Sequence, residues 1–427
     1  MTSVYMKFRG GDVNGYQKLV IVDPAFGISR GHHEGFFQRI VNSLLTKNYQ
    51  LSYAVDKAIS KDGIKQLEMH NIVCNQVFDI DFYEIYNSNV FQIDEISFRI
   101  RQLAKQFISL FLIYKNDNVV FLYHTLYWDH ALALSLAIQI YENKESYKVH
   151  SVKHLLFFMF HPGIDQAGET NNTRDLFYFK MALRGLTKIK SAHLFTSNAE
   201  YLVSYNRLTG KSGSNYSNSF HLHPNPFSDY SRFNEIYLER IAKTSKLSQI
   251  LLYMGEAKVE KGFTRLPARA EQFLQVCSEN EKVIIQFVID FPINPTLKSV
   301  IDQLALLSKK DTRLILHNHF WTEKELQRQL NETSLFVLDY NATQYKNKTS
   351  GALWLAAAWH IPVLGYKDCW LAREAKRLGI IYKEINQLTD RSSLMKVLNN
   401  KLTEPSKYAK EIAQPFDQWL IAQMTDK

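Results

Sequence analysis

The chain has 427 residues, 46% of them apolar and 22% charged, which supports sizeable cores and excludes a disordered or fibrous chain. Lys plus Arg number 51 against 42 Asp plus Glu, a formal net charge of +9 that suits an anionic ligand or an anionic membrane surface. No Lys/Arg-rich block or zinc-finger spacing accompanies that charge, so nucleic acid is not an expected partner.

In chain order, the N-terminal MTSVYMKFRGGD lacks the apolar run of a signal peptide. KLVIVD (18–23) reads as a buried strand. FFQRIVNSLLTK (36–47) puts Phe36, Phe37, Ile40, Val41, Leu44 and Leu45 on one helical face. QLSYAVD is a strand. Region 60–117, with the helix-like 93–114, is read as shaping the acceptor side. NVVFLYH (118–124) is a strand, WDHALALSLAIQIYEN (128–143) a helix and HLLFFMFH (154–161) a strand. A helix over 175–188, a strand over 192–197 and a helix opened by Asn198 and closed by Gly210 follow. The polar KSGSNYSNS and the two-proline HLHPNPFSDYS then mark a boundary. Alternation restarts with QILLYMG and runs on through KVIIQFVI, RLILHNH, SLFVLDY, IPVLGY and GIIYKE, with helical stretches between. A last helical stretch begins near Ser406.

Repeated βα units imply parallel sheets with helices on both faces. The expected architecture is therefore α/β, with two Rossmann-like domains facing a cleft: residues 1–225, residues 226–405, and a C-terminal helix over 406–427 packing back on the first domain. Cys74, Cys277 and Cys369 lie far apart and form no disulfide framework, which points to a reducing cytosol. No apolar run approaches the ~20 residues that span a bilayer, so the expected location is cytoplasmic, at most peripheral at the inner membrane face.

Ligands of open α/β sheets sit beyond the carboxyl ends of strands. In MGEAKVEKGF, a strand ends at Gly255 and Lys258 and Lys261 lie in the loop before a helix starting near Gly262. Cations beside a helix N-terminus make an anion site. The same residues also read as an ordinary solvated loop. In LFVLDYNATQYKNKTSGALWLAAAWHIPVLGY, Thr349, Ser350 and Gly351 open an Ala-rich helix and leave its first amides accessible to a phosphate. Near the N-terminus, Gly31, His32 and His33 occupy the loop after the first strand. Gly31 allows close backbone approach to ligand, and the histidines read as polar loop residues because no carboxylate spacing completes a metal site. His161 ends a buried run, where it can point into a cleft or serve as a hydrogen-bonded strand-end residue. The glycines of RGGDVNG precede the first strand, the wrong place for a dinucleotide fingerprint.

The pattern G-x5-K-G at Gly255–Gly262, with Tyr345, Thr349, Ser350, Gly351 and Pro362, resembles the donor domain of GT-B glycosyltransferases, close to the large retaining family four. The resemblance runs from about residue 18 to 405. It implies a GT-B fold and transfer of a sugar from a nucleotide-sugar to a bacterial glycan or glycolipid, with retention, no metal and no cofactor beyond the substrate. It assigns the donor diphosphate to Lys258, Lys261, Thr349, Ser350 and Gly351. His161 becomes the catalytic-site residue that positions the donor sugar, Gly31 and His32 the cleft loop, and Tyr345 and Asn318 candidate donor contacts. The usual Arg of the first loop is Glu256 here, and the family's paired glutamates fall on Lys348 and Leu355. A second expectation follows from those replacements: a catalytically degenerate GT-B protein that binds nucleotide or glycan, or supports a partner enzyme.

Overall fold

The computed structural model describes residues 18–27, 32–47, 49–87, 92–143, 151–165, 167–210, 219–226, 232–242, 248–289, 295–400, 402 and 404–425. The chain falls into two compact units, one of residues 1–162, 173–223 and 416–427, the other of residues 163–172 and 224–415.

The first unit is built on β1 (Lys18–Val22), β2 (Gln50–Asp56), β3 (Val73–Phe78), β4 (Val119–Tyr123), β5 (Val152–Phe158), β6 (Ala192–Thr196) and β7 (His221–Leu222). All pairs are parallel, in the order β3-β2-β1-β4-β5-β6-β7. The central strands are apolar on both faces because both faces are covered. Val20 and Val22 enter one core with the helices Ile93–Ile113, Trp128–Glu142 and Thr173–Leu186. On the other side, Phe36 of the helix His32–Leu44 meets Phe416, and Phe416 and Trp419 pack on Phe157.

The second unit repeats the plan with β8 (Gln249–Glu256), β9 (Lys282–Val288), β10 (Leu314–His317), β11 (Thr333–Val337), β12 (Val363–Gly365) and β13 (Tyr382–Glu384), parallel in the order β10-β9-β8-β11-β12-β13. Strand alternation feeds two cores. Ile250, Leu252, Val283 and Ile285 join the helices Leu266–Val276 and Pro295–Lys310. Leu251, Ile284, Phe336 and Val363 join the helices Gly351–Ala358, Trp370–Leu378 and Lys407–Ile412. In both sheets the order reverses beside the first strand, between β1 and β4 and between β8 and β11, which makes those strand ends the topological switch points.

Two boundaries differ from the sequence reading. Residues 163–172 belong to the second unit, because Gly168 (φ +87°) packs where a Cβ would lie 2.2 Å from the Gln344 carbonyl, and Asn347 donates to the Gly168 carbonyl at 2.9 Å. The last helical stretch is two helices, Lys407–Ile412 and Phe416–Thr425, separated at Pro415. Proline cannot donate the backbone bond that a continuous helix needs. The first of them stays with the second unit and only the second joins the first unit. The strand β3 and the helices Lys61–Met69, Phe233–Ala242 and Arg391–Leu398 were not anticipated; β3 has an edge position and a half-exposed, polar face that leaves no apolar run to read.

Candidate functional site

At the switch point of the second sheet, β8 leads into two short 3-10 turns, Val259–Lys261 and Phe263–Arg265, before the helix Leu266–Val276. Gly262 is left-handed (φ +83°), and a Cβ there would lie 2.0 Å from the Asp339 carbonyl just beyond β11. Asn341 donates its backbone N–H to the Glu260 carbonyl at 2.8 Å. The loops after β8 and β11 are thus held against each other. Arg265 and Arg269 reinforce the junction, each placing Nε 3.1 Å from the buried Asp339 Oδ2. The sequence reading missed this trio. Its trace in sequence was an Arg pair spaced i,i+4 at a helix start and an Asp just past a strand.

Lys261 folds back over the strand end, its Nζ 3.7 Å from where a Gly255 Cβ would stand. Among the described residues this ammonium makes no hydrogen bond or ion pair, although Glu256 and Glu260 act on it electrostatically. Burial, then the neighbouring Lys258, lowers its pKa below the ordinary lysine range. Lys258 is paired with Glu256 at 2.5 Å, so the acid at the family's Arg position offsets the lysine beside it. Lys348, on the loop after β11, is also lowered by burial, with Glu260, Asp165 and Lys258 acting on its charge. Three lysines therefore gather at one strand edge, and the third was not assigned a binding role from sequence.

Thr349 and Ser350 precede the helix Gly351–Ala358. Gly351 is exposed, with nothing within 4 Å of a Cβ placed on it, so the first turn is open. Ser350 is buried, makes no side-chain cap, and lies 3.5 Å from the Tyr340 hydroxyl, whose pKa burial pushes up to about 12. Tyr345 is buried with its ring 4.5 Å from that of Tyr340, a core position. Asn318 is exposed beyond β10, two strands from the switch point. Gln286 links that edge back to the site, accepting from Gly255 N–H at 2.8 Å and donating to the His319 carbonyl at 2.7 Å.

In the first unit, β5 ends at Phe158, so His161 stands three residues beyond the strand rather than at its end. Both of its ring nitrogens have partners, Nδ1 the Pro162 carbonyl at 2.9 Å and Nε2 the Ser204 hydroxyl at 2.8 Å. Gly31 lies outside the described residues, and His32 is the first residue of the helix His32–Leu44. His33 is not a loop residue but a buried one in the first helical turn. It lies beside Asp23 and His124, and one ligand-capable atom from each falls within 4.8 Å of the others. Burial would raise the Asp23 pKa, but the imidazoles of His33 and His124 outweigh it and hold the carboxyl well below its usual range. Burial lowers the pKa of His124.

Neither the protein-family models nor the curated protein sequences give a match to this chain. Solved structures do. A trehalose-6-phosphate structure from E. coli bound with UDP-2-fluoro glucose matches at 11% identity and TM-score 0.57, covering 96% of this chain and 99% of the other. The α,α-trehalose-phosphate synthase (UDP-forming) of Burkholderia xenovorans, in complex with glucose-6-phosphate, matches at 8% identity and TM-score 0.57, covering 96% and 100%. Anabaena HepE, in complex with UDP and glucose, matches at 12% identity and TM-score 0.50, covering 96% of each chain. At such identities the likeness defines the fold: two Rossmann-like α/β domains of the GT-B class.

Proposed function

We propose that the protein is a glycosyltransferase that uses a nucleotide-sugar donor. The observation that carries this reading is Lys261: a partly buried ammonium that makes no hydrogen bond or ion pair among the described residues, at the switch point and in the same loop pair as an open helix N-terminus. A poorly solvated cation with no hydrogen-bonded partner gains from an arriving diphosphate. Lys261 and the amides of Ser350 and Gly351 receive the diphosphate. Lys258 joins once its pairing with Glu256 yields, and Lys348 supplies further charge.

In the transfer, the bond from the sugar's anomeric carbon to the β-phosphate oxygen breaks and a bond to an acceptor hydroxyl oxygen forms. The acceptor's proton is released, and negative charge grows on the departing nucleoside diphosphate. The lysines and helix amides stabilise that charge where it develops. Structures of similar fold were obtained with UDP, UDP-2-fluoro glucose and glucose-6-phosphate, which makes uridine the first base and a hexose the first sugar to test. Transfer to a glycan or lipid-linked acceptor, with retention and without a metal in the transfer step, extends the same reading. His161 is assigned to positioning the donor sugar. Among the described residues no helix is long and apolar enough to cross a membrane.

The test is release of nucleoside diphosphate from a panel of nucleotide-sugars, with and without oligosaccharide acceptors. The reading requires turnover of at least one donor, reduced by about ten- to a hundredfold in Lys261→Ala, as expected for loss of a charge-assisted contact. One observation favours a second reading: Leu355, at a position the resemblance gives to a glutamate, packs partly against the apolar core. Nucleotide binding without turnover of any donor would select that binding-only role.

A further inference from the structure

The parallel pairing of β1 with β4 sets Val22 beside Tyr123, so the next residues, Asp23 and His124, emerge side by side at the first sheet's switch point. The first turn of the helix His32–Leu44 brings His33 onto them. His33 Nδ1 lies 2.8 Å from Asp23 Oδ1 and 2.9 Å from Oδ2, and His124 Nδ1 lies 3.4 Å from Asp23 Oδ2. The three side chains are at most 2% exposed.

We propose that Asp23, His33 and His124 form a binding site for a borderline divalent cation of the zinc type. Two imidazole nitrogens and a carboxylate are the donor set such ions take. The two carboxylate–imidazole separations, 2.8 and 3.4 Å, approach the ~3.4 Å that a tetrahedral ion with ~2.1 Å bonds imposes, and all three ligand atoms lie within 4.8 Å of one another. One of the two imidazoles has the outer-shell partner common at metal sites. His33 Nε2 lies 2.7 Å from the Tyr83 hydroxyl, which fixes the ring and turns Nδ1 toward Asp23.

A separate observation points the same way. Tyr53, on β2, is fully buried, its hydroxyl has no hydrogen-bond partner among the described residues, and it lies within electrostatic range of Asp23. A buried hydroxyl without a hydrogen-bond partner is uncommon, and this one adds a further polar atom to the surroundings of Asp23. A cation there ties the end of β1, the helix start and the end of β4 together at the root of the loop after β1. The inference is independent of the donor-site reading.

The full-length protein, stripped with a chelator and dialysed, is titrated with Zn²⁺ or Co²⁺. The expected result is one tightly held ion per chain, with Co²⁺ giving the ligand-field spectrum of a four-coordinate nitrogen/oxygen set. Asp23→Asn and His33→Gln abolish it, and Tyr83→Phe, which spares the ligands, weakens it about ten- to a hundredfold. His319→Gln, at an exposed histidine of the second unit, leaves it unchanged. Retention of no ion by the wild-type chain overturns the proposal. Loss of the ion in His319→Gln with retention in Tyr83→Phe at full affinity overturns it as well, and that pair decides the matter even if the ligand variants do not fold.

Discussion

Lys261 concentrates the argument at the scale of a single residue. Its pKa is lowered because its charge is poorly solvated, so the folded state disfavours the protonated form and a bound anion favours it. A cation with a lowered pKa loses its charge at a lower pH than an exposed lysine. Nucleoside diphosphate affinity should therefore fall as pH rises toward that lowered pKa, and Lys261→Arg, which stays charged, should move the fall to higher pH. Calorimetric titrations across an alkaline pH series read this directly; identical profiles for the two proteins would remove Lys261 from the phosphate contact. Gly262 sets the geometry that makes Lys261 possible. Gly262→Ala should cost about 1–3 kcal/mol for the left-handed backbone alone, with the Asp339 carbonyl clash added, measured as a lowered denaturation midpoint. Lys258 and Lys261 could be placed just after a strand, and Ser350 and Gly351 at a helix start, because an apolar run precedes the first pair and an Ala-rich run follows the second. The Asp23–His33–His124 cluster could not be placed, because its members come from two strand ends and a helix whose adjacency only the sheet order creates.

At the scale of elements, most central strands and long helices followed from apolar runs and periodicity. Asn198 caps its helix by accepting from Tyr201 N–H at 3.0 Å, and Gly379 (φ +75°) closes the helix Trp370–Leu378, both as their residue types suggest. Edge elements were harder to read: the apolar residues of β3 are interrupted by Asn75 and Gln76, and β7 has two residues. The C-terminal helix Phe416–Thr425 completes the first unit's core, with Phe416 buried among Phe36, Phe157 and Trp419. Phe416→Ala should destabilise that unit by about 3–5 kcal/mol. Hydrogen exchange at β5 and β6 should accelerate accordingly, while exchange at β8 and β9 stays unchanged; uniform acceleration in both sheets would show that the two units unfold as one.

For the whole molecule, two sheets of the same strand order in one chain place one switch point in each unit. The lysine loops occupy the second, and the buried Asp–His cluster the first. A true donor nucleotide at ~100 times its dissociation constant should stabilise the folded chain by ~2.7 kcal/mol, visible as a raised melting temperature for one base among uridine, guanosine, adenosine and cytidine diphosphates. The central claim, that the β8 and β11 loops grip a pyrophosphate, is tested most directly by isothermal titration of UDP and its counterparts into the wild-type chain and Lys261→Met. The account predicts saturable binding of at least one nucleoside diphosphate by the wild type and at least tenfold weaker binding by the folded variant. Equal affinity in the two proteins, or binding of none of these nucleotides by the wild type, would contradict it.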